Sequence, residues 1–324
     1  MARRSVSFIV PVRDDAARLE RCLRTIVAGT PKGADVEIVV ADNGSVDRSV
    51  DVARMADATV LELPGIRLGE LRNKAASVAR GDILAFVDAD HEIVPEWIAA
   101  AIDALEPAGH AAVGAPCRPP SPGTWVQRFY DRLRRHPARQ EQVEWLGSGN
   151  MAVRRSAFEE VGGFDTSLET CEDVDLCRKL RARGYVLLAD HRLGNVHHGD
   201  PQTLRQLFFG ELWRGRDNVR VSLRRPWSGR TLASAAIPVV SLLAIAAAVV
   251  GVLLGSAVGF ALSAVAVTGL AALIVLRAAV MRPAPAAVDE WSRAVAVAAA
   301  YEAGRAFALA GRFGHRRRRQ SATA

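Results

Sequence analysis

From Thr231 to Leu276 no residue carries a charge, and this stretch limits what the chain can fold into more than any other. A continuous helix of that length would rise roughly 70 Å at about 1.5 Å per residue, against a hydrocarbon core of about 30 Å. One crossing is too few and three too many. The segment therefore reads as a helical hairpin, with spans at about 232–254 and 257–277 and its turn at Gly255-Ser256. Gly251, Gly255, Gly259 and Ser263 recur at every fourth position, the spacing that lets membrane helices pack closely. A buried hairpin within a soluble fold is the alternative, and the length rule weighs against it. Arg224, Arg225 and Arg230 precede the first span, Arg277 and Arg282 follow the second, and the turn is uncharged. The positive-inside rule then puts both ends, and the rest of the chain with them, on the cytoplasmic side of the cell membrane.

The flanks carry the same signal. The formal net charge is +7, but the arginines cluster between Arg205 and Arg230 and again at Arg316–Arg319, beside apolar segments. Such a distribution points to a membrane surface rather than to nucleic acid, for which no binding signature occurs. Within Gln202–Leu223, Leu204, Leu207, Phe208, Leu212, Trp213, Val219 and Leu223 alternate with arginines at mostly helical spacing, which predicts a helix lying on the bilayer. The stretch 286–312 is alanine-rich yet contains Asp289, Glu290, Arg293, Glu302 and Arg305. A surface or bundle-packed helix is expected there, because a third span would carry Arg316–Arg319 outside. The four cysteines, Cys22, Cys117, Cys171 and Cys177, form no CxxC pair and read as reduced thiols. The first apolar run is broken by Arg13-Asp14-Asp15 and reads as a strand, not a signal peptide.

Before residue 200 the pattern changes to short apolar runs alternating with helical periodicity. Ser5–Val12, Val36–Val40, Ala58–Leu63 and Asp82–Val87 read as strands; Ala16–Val27, Val46–Met55 and Leu68–Ala79 read as helices. This alternation predicts a parallel α/β sheet covered on both faces, with ligands at the carboxyl ends of its strands. Three polar clusters, Pro11–Asp15, Asp42–Ser45 and Asp88–Asp90, sit at such ends. No G-x-G-x-x-G or Walker A motif is present, so phosphate charge would have to be neutralised otherwise. Asp88-Ala89-Asp90, directly after a buried strand, offers hard oxygen ligands suited to Mg²⁺ or Mn²⁺ with substrate phosphates. A second acidic element, Glu172-Asp173-Val174-Asp175-Leu176, supplies a carboxylate for proton transfer or simply a solvated helix start.

Together these pieces resemble a membrane-anchored bacterial glycosyltransferase of family 2, with the GT-A fold. The matching elements are Phe8–Asp15, Val39–Asp47, Arg72-Asn73, Phe86–Asp90, Gly162–Asp165 and Glu172–Leu176, in the family's order over about residues 5–200. The resemblance implies a GT-A fold, a Rossmann-like mixed sheet that binds a nucleotide-diphospho-sugar, followed here by the transmembrane helices. It implies donor contacts at Pro11, Val12, Arg13, Asp15, Asp42, Arg72, Asp88 and Ala89, and a Mg²⁺ or Mn²⁺ ion on Asp88 and Asp90. Asp173 becomes the general base, and Trp145, Asn150 and Glu172 border the acceptor. Asp14 stands where the family usually has asparagine. Relatives also place a late histidine on the metal or donor phosphate; His197 and His198 fit, and His198 is the favoured one, since two neighbours cannot easily share one site. Trp213–Asn218 occupies the position of the Q-x-x-R-W element of processive members without meeting its pattern.

The expected activity is inverting transfer from a nucleotide-diphospho-sugar, a UDP-sugar favoured, to a hydroxyl of a lipid-linked or cell-envelope glycan. A polyprenyl-phosphate glycosyltransferase, whose ionised acceptor needs no base, is one alternative; a non-catalytic membrane-tethered sugar-binding protein is another. The chain thus divides into a cytosolic transferase domain over 1–200, an amphipathic interfacial segment 201–230, a transmembrane hairpin 231–280, an amphipathic or membrane-associated helix 281–315 and a disordered basic tail 316–324.

Overall fold

The computed structural model describes residues 5–320, the side chains of 311–320 excepted. The strands in chain order are β1 (Val6–Val12), β2 (Val36–Asp42), β3 (Thr59–Glu62), β4 (Ile83–Val87) and β5 (His91–Ile93). They continue as β6 (His110–Gly114), β7 (Glu141–Gln142), β8 (Asn150–Arg154), β9 (Val186–Ala189) and β10 (Asn195–His197). The helices are α1 (Ala16–Ala28), α2 (Ser49–Met55), α3 (Leu68–Val78), α4 (Trp97–Ala104), α5 (Trp125–Asp131) and α6 (Arg155–Glu160). They are followed by α7 (Glu172–Ala182), α8 (Leu204–Arg214), α9 (Asn218–Ser222), α10 (Gly229–Leu253), α11 (Ala257–Ala279) and α12 (Val288–Gln320). Two compact units result: one holds the chain up to Ser121 with His136–Asp200, the other Pro122–Arg135 with the chain from Pro201. The segment 122–135, read from sequence as part of the first domain, thus belongs to the second unit.

In the first unit an eight-stranded sheet runs in the order β3-β2-β1-β4-β8-β6-β9-β7. β3, β2, β1 and β4 are mutually parallel, as the strand–helix alternation requires. β8 then enters antiparallel between β4 and β6, so the sheet is mixed. Alternation along β1 explains why both faces are covered: Phe8 and Val10 pack with α1 and α4 residues, while Ile9 packs with α3 and α7 residues. β1 runs through Pro11 to Val12. β1 pairs with β4 from Val6↔Ile83 as far as Ile9↔Phe86, so the proline removes no ladder hydrogen bond on that side. The chain order reverses between β1 and β4, and here the two strands part. This is the topological switch point where α/β sheets hold ligands. A separate antiparallel pair, β5 with β10, sets His91 opposite His197.

In the second unit α10 and α11 form the expected hairpin, each long and apolar enough to cross a membrane. Ser228 caps α10 by accepting from Thr231 N, and Gly255 makes the turn at a φ of +60°. A Cβ on Gly251 would collide with Gly259 O and Ser263 Oγ, so the small residues at fourth positions are where the helices touch. α12 is bundle-packed: Ala294, Val297, Ala298 and Ala306 are buried, and Gly304 and Gly215 leave room for α8 to approach. The segment expected to form one helix on the bilayer is instead two, α8 and α9. Leu207 and Glu211 are buried, and Glu211 accepts from Tyr130 Oη at 2.9 Å and Arg305 Nε at 2.7 Å. Only part of its expected apolar pattern therefore faces outward, through Trp213 and Leu223. α12 extends to Gln320, so the tail expected from Arg316 begins as helical backbone; 321–324 lie outside the described residues.

Candidate active site

β4 ends at Val87 with a fully buried side, and the chain leaves it as Asp88-Ala89-Asp90 at the mouth of the switch point. Asp90 is the focus of the positive groups. His197 Nε2 lies 3.2 Å from its Oδ2, Arg18 Nη1 3.6 Å from the same atom, and His91 Nε2 3.8 Å from Oδ1. Burial opposes ionisation of Asp90, but the His197 hydrogen bond and the charges of His197, His91 and Arg18 prevail and hold it at about 2. His197 is gripped on its other side too, with Nδ1 2.7 Å from Asp200 Oδ1. Burial works against its charged form, yet hydrogen bonds to Asp200, Asp90 and Cys117 outweigh that and hold the ring well above its ordinary value. His91 moves the opposite way, pushed down to about 4 by burial and by the neighbouring His197 charge. Its ring lies 4.5 Å from that of His197.

The favoured histidine of the sequence reading is corrected here. His198 turns from Asp90 and puts Nε2 2.6 Å from Glu92 Oε1. His197, which stands opposite His91 on paired strands, takes the position beside Asp90. Asp90, His91 and His197 each offer a ligand atom, all within 4.8 Å of one another. An ionised carboxylate with imidazole nitrogens, holding a proton where a cation would sit, is a donor set that fits a divalent metal. Asp88 is divided between two neighbours: its Oδ1 accepts from Arg72 Nη2 at 2.7 Å, while its Oδ2 lies against Gly149 on the side of His91.

Arg72 is buried and forked. Its Nη1 donates to Glu172 Oε1 at 2.7 Å, and its guanidinium lies over the Phe164 ring. It ties the D-x-D loop to the start of α7 and faces these carboxylates, so neither Arg72 nor Glu172 projects into open space as a donor or acceptor contact. Next to Glu172, Asp173 is half-buried and accepts from Val174 N at 2.8 Å and Ser148 N at 3.3 Å. Burial and the Glu172 charge push its carboxyl up to about 7.

The segment Gly147-Ser148-Gly149 joins the two acidic clusters. Ser148 N holds Asp173, while a Cβ on Gly149 would lie 2.8 Å from Asp88 Oδ2 and 3.1 Å from His91 Nε2. Trp145, just before it, is exposed. Asn150, expected on the acceptor side, is buried: Nδ2 donates to Ala115 O at 3.0 Å and Leu193 O at 2.8 Å, and Oδ1 accepts from Trp97 Nε1 at 2.7 Å. All its polar capacity of that kind is spent inside the fold, so it fixes the base of the loop.

The first two polar clusters are laced together. Asp14, at a φ of +52°, donates through N to Ser45 Oγ at 2.9 Å and accepts from Val46 N at 2.7 Å. Asp42 Oδ2 accepts from Gly44 N and Ser45 N, and its buried Oδ1 has no hydrogen-bond partner. That unpaired acceptor is suited to a donor on a ligand. Pro11, Val12 and Ala89 are buried, and Arg13 is exposed. Asp15 is paired with Arg18 at 3.3 Å; burial, with the Asp90 charge, raises its carboxyl against the pull of Arg18. Arg18, His91, Gly149 and Asp200 were not singled out from sequence. An arginine one helical turn after Asp15 and a histidine directly after D-x-D were the available signals.

Residues 7–162 match the family described as glycosyl transferase family 2. A glycosyltransferase of Haloferax volcanii, AglE, is 27% identical over 245 residues, covering 68% of this chain and 77% of that protein. The fold is similar to that of the mannosyltransferase PcManGT from Pyrobaculum calidifontis, solved in complex with GDP-Man and Mn²⁺. That likeness has a TM-score of 0.62 and 20% identity, over 93% of this chain and 88% of the other. GalNAc-T7, solved with UDP, GalNAc and Mn²⁺, aligns with a TM-score of 0.51 and 17% identity, over 68% of this chain and 51% of its own.

Proposed function

The chain is a family 2 glycosyltransferase with the GT-A fold, and on that premise we propose that it performs metal-dependent, inverting transfer from a nucleotide-diphospho-sugar to an acceptor hydroxyl. The observation that carries this is the pairing of two unlike carboxylates across one glycine-containing loop. Asp90 is held ionised at about 2 among cationic groups, and Asp173 is lifted to about 7. A carboxylate near neutrality, reached through Ser148, is matched to taking a proton from a hydroxyl. An acceptor that is already an ionised phosphate would need no such group, so the hydroxyl is favoured over the polyprenyl-phosphate alternative. Retention of both Asp90 and Asp173 weighs against a non-catalytic sugar-binding protein.

Asp90, His197 and His91 would hold Mg²⁺ or Mn²⁺, in keeping with the Mn²⁺ of the two similar structures. When bound, the cation supplies Lewis-acid stabilisation to the departing diphosphate. The chain's own residues do the rest. Asp42, with one acceptor oxygen unpaired, would receive a base N–H, and Asp15 stands at the same edge. Arg72 positions Asp88 and Glu172 relative to each other and so sets the start of α7, from which Asp173 projects. Asp173 accepts the acceptor's proton as its oxygen attacks the anomeric carbon from the face opposite the leaving group. The nucleotide of the similar structures is GDP in one and UDP in the other, and a UDP-sugar is our preferred donor. The α10–α11 hairpin anchors the enzyme in the cell membrane with both ends cytoplasmic, which suits a lipid-linked or cell-envelope glycan as acceptor.

The test is binding and turnover of a nucleotide-sugar panel by the detergent-solubilised chain with Mn²⁺, Mg²⁺ or EDTA, beside Asp90→Ala. Metal-dependent turnover of one donor, lost in the variant, supports the assignment. No donor bound with either metal, and no effect of the substitution, would overturn it.

A further inference from the structure

The imidazole of His197 has a second group of ligands behind it. Cys117, His197 and Asp200 each offer a ligand atom, all within 4.8 Å of one another. Asp200 Oδ1 lies 2.7 Å from His197 Nδ1, the Asp200 side chain is fully buried, and the Cys117 side chain hydrogen-bonds the ring. The opposite nitrogen, Nε2, faces Asp90 at 3.2 Å. One ring therefore stands between two carboxylates, Asp90 at Nε2 and Asp200 at Nδ1, and the Cys117 thiol lies within 4.8 Å of ligand atoms of both the ring and Asp200. The thiol side is held by backbone. Arg118 N donates to Asn195 O at 3.0 Å, and His197 N donates to Arg118 O at 2.8 Å, so residues 117–118 are fixed alongside β10. Such support keeps three ligands assembled before any ion arrives.

We propose that Cys117 Sγ, His197 Nδ1 and Asp200 form a site for a borderline-soft divalent cation of the Zn²⁺ class, and that filling it prevents a hard cation from binding at Asp90. Thiolate, imidazole nitrogen and carboxylate are three protein ligands of the kind zinc takes in open sites, with water as the fourth. Mg²⁺ and Mn²⁺ prefer oxygen, so the thiol sorts the two classes of ion. On binding, the Cys117 S–H and the His197 Nδ1–H each lose a proton to solvent, and the cation takes the place of the proton shared with Asp200. The ring keeps its other proton on Nε2, where it donates to Asp90 Oδ2. That nitrogen then has no lone pair to offer, and the Asp90 oxygen is occupied. Soft-metal inhibition follows without any change of fold. The exclusion rests on the reading of Asp90 and His197 as the hard-cation site; binding at Cys117 does not.

The experiment uses the full-length chain in detergent, with Co²⁺ alone as the first probe. A thiolate-to-cobalt charge-transfer absorption is expected in the wild type, absent from Cys117→Ser and retained in Cys171→Ser. No such band in the wild type, or its persistence in Cys117→Ser, overturns the site. Bound Mn²⁺, followed by its electron paramagnetic resonance, should be released by one equivalent of Zn²⁺ in the wild type and retained in Cys117→Ser. Mn²⁺ and Zn²⁺ binding together would refute the exclusion. A cobalt–thiolate band in a chain that binds no Mn²⁺ would confirm the soft site while sinking both the exclusion and the hard-cation reading.

Discussion

Replacing Asp173 by asparagine keeps the shape of the side chain and removes its charge, which separates two consequences of one environment. Burial and the adjacent Glu172 lift this carboxyl from 3.8 to about 7. The folded state thus holds the proton more tightly than the unfolded chain does. Below about pH 3 both states are protonated and the group contributes nothing. As pH rises to about 7 the unfolded chain ionises first, and the folded state loses stability relative to it. For a fully buried group the difference would reach about 4 kcal/mol above pH 7. Asp173 is only half-buried and solvent screens it, so about 1–2 kcal/mol is a fairer expectation.

Asp173→Asn should therefore be more stable than the wild type at pH 8 and equal to it near pH 3, melting about 2–4 °C higher per kcal/mol relieved. Turnover goes the other way. The wild type should gain roughly tenfold in kcat/KM between pH 6 and pH 8, as the ionised fraction climbs from about a tenth to about nine-tenths. The variant should lose nearly all turnover at every pH while still binding donor. Thermal melts in detergent across that pH range, with donor binding and initial rates on the same preparations, measure all three. A variant less stable than the wild type at pH 8, or one that retains turnover, would refute the reasoning: the carboxylate would then be a structural partner and not a base held at a cost.

Arg72→Met leaves Asp88 and Glu172 without their shared cation and should cost about 3 kcal/mol or more in a denaturant or thermal melt; Arg72→Lys, which cannot fork, should recover only part of that. Gly149→Ala would put a methyl 2.8 Å from Asp88 Oδ2 and 3.1 Å from His91 Nε2, so turnover should collapse with little change in melting temperature. His197→Ala should weaken Mn²⁺ binding by about tenfold or more, a loss comparable with those seen when ligands are merely misoriented, whereas His198→Ala should leave it nearly unchanged in a Mn²⁺ titration.

The scaffold was largely legible because its signals are local. Apolar runs of strand length, helical periodicity and polar residues at strand ends gave the parallel half of the sheet within one to three residues at each boundary. The charge-free stretch gave the hairpin, since no other fold buries so long an apolar run cheaply. What escaped depends on long-range pairing. β8 inserts antiparallel beside β4, and a strand has no local mark of its direction. Asn150 belongs to that strand, and its polar atoms are taken by Trp97, Ala115 and Leu193, residues brought near only by the completed sheet. The outward apolar stripe of 202–223 likewise mixed residues that meet α12 with residues that remain exposed, because helical spacing alone does not say what lies opposite.

The choice between His197 and His198 shows where a local signal fails and what would replace it. Neighbours at a strand end point to opposite sides, so one of the two had to turn from Asp90, and the dipeptide does not contain the information to say which. The register of β10 on β5 contains it. Asn195 pairs with Ile93, Val196 with Glu92 and His197 with His91. Residues paired across strands share a face, so His197 joins His91; Asp90 lies just before β5, outside the strand's alternation, and from there its Oδ2 comes 3.2 Å from His197 Nε2. Val196 joins Glu92 on the other face, and the next residue of that parity is His198, which accordingly meets Glu92 at 2.6 Å. The same register brings the other nitrogen of His197 to Asp200 and Cys117. The placement of His197 between Asp90 and Asp200 thus depends on the register of three residue pairs, and shifting β10 by one residue would set His198 opposite His91 and take His197 out of that place.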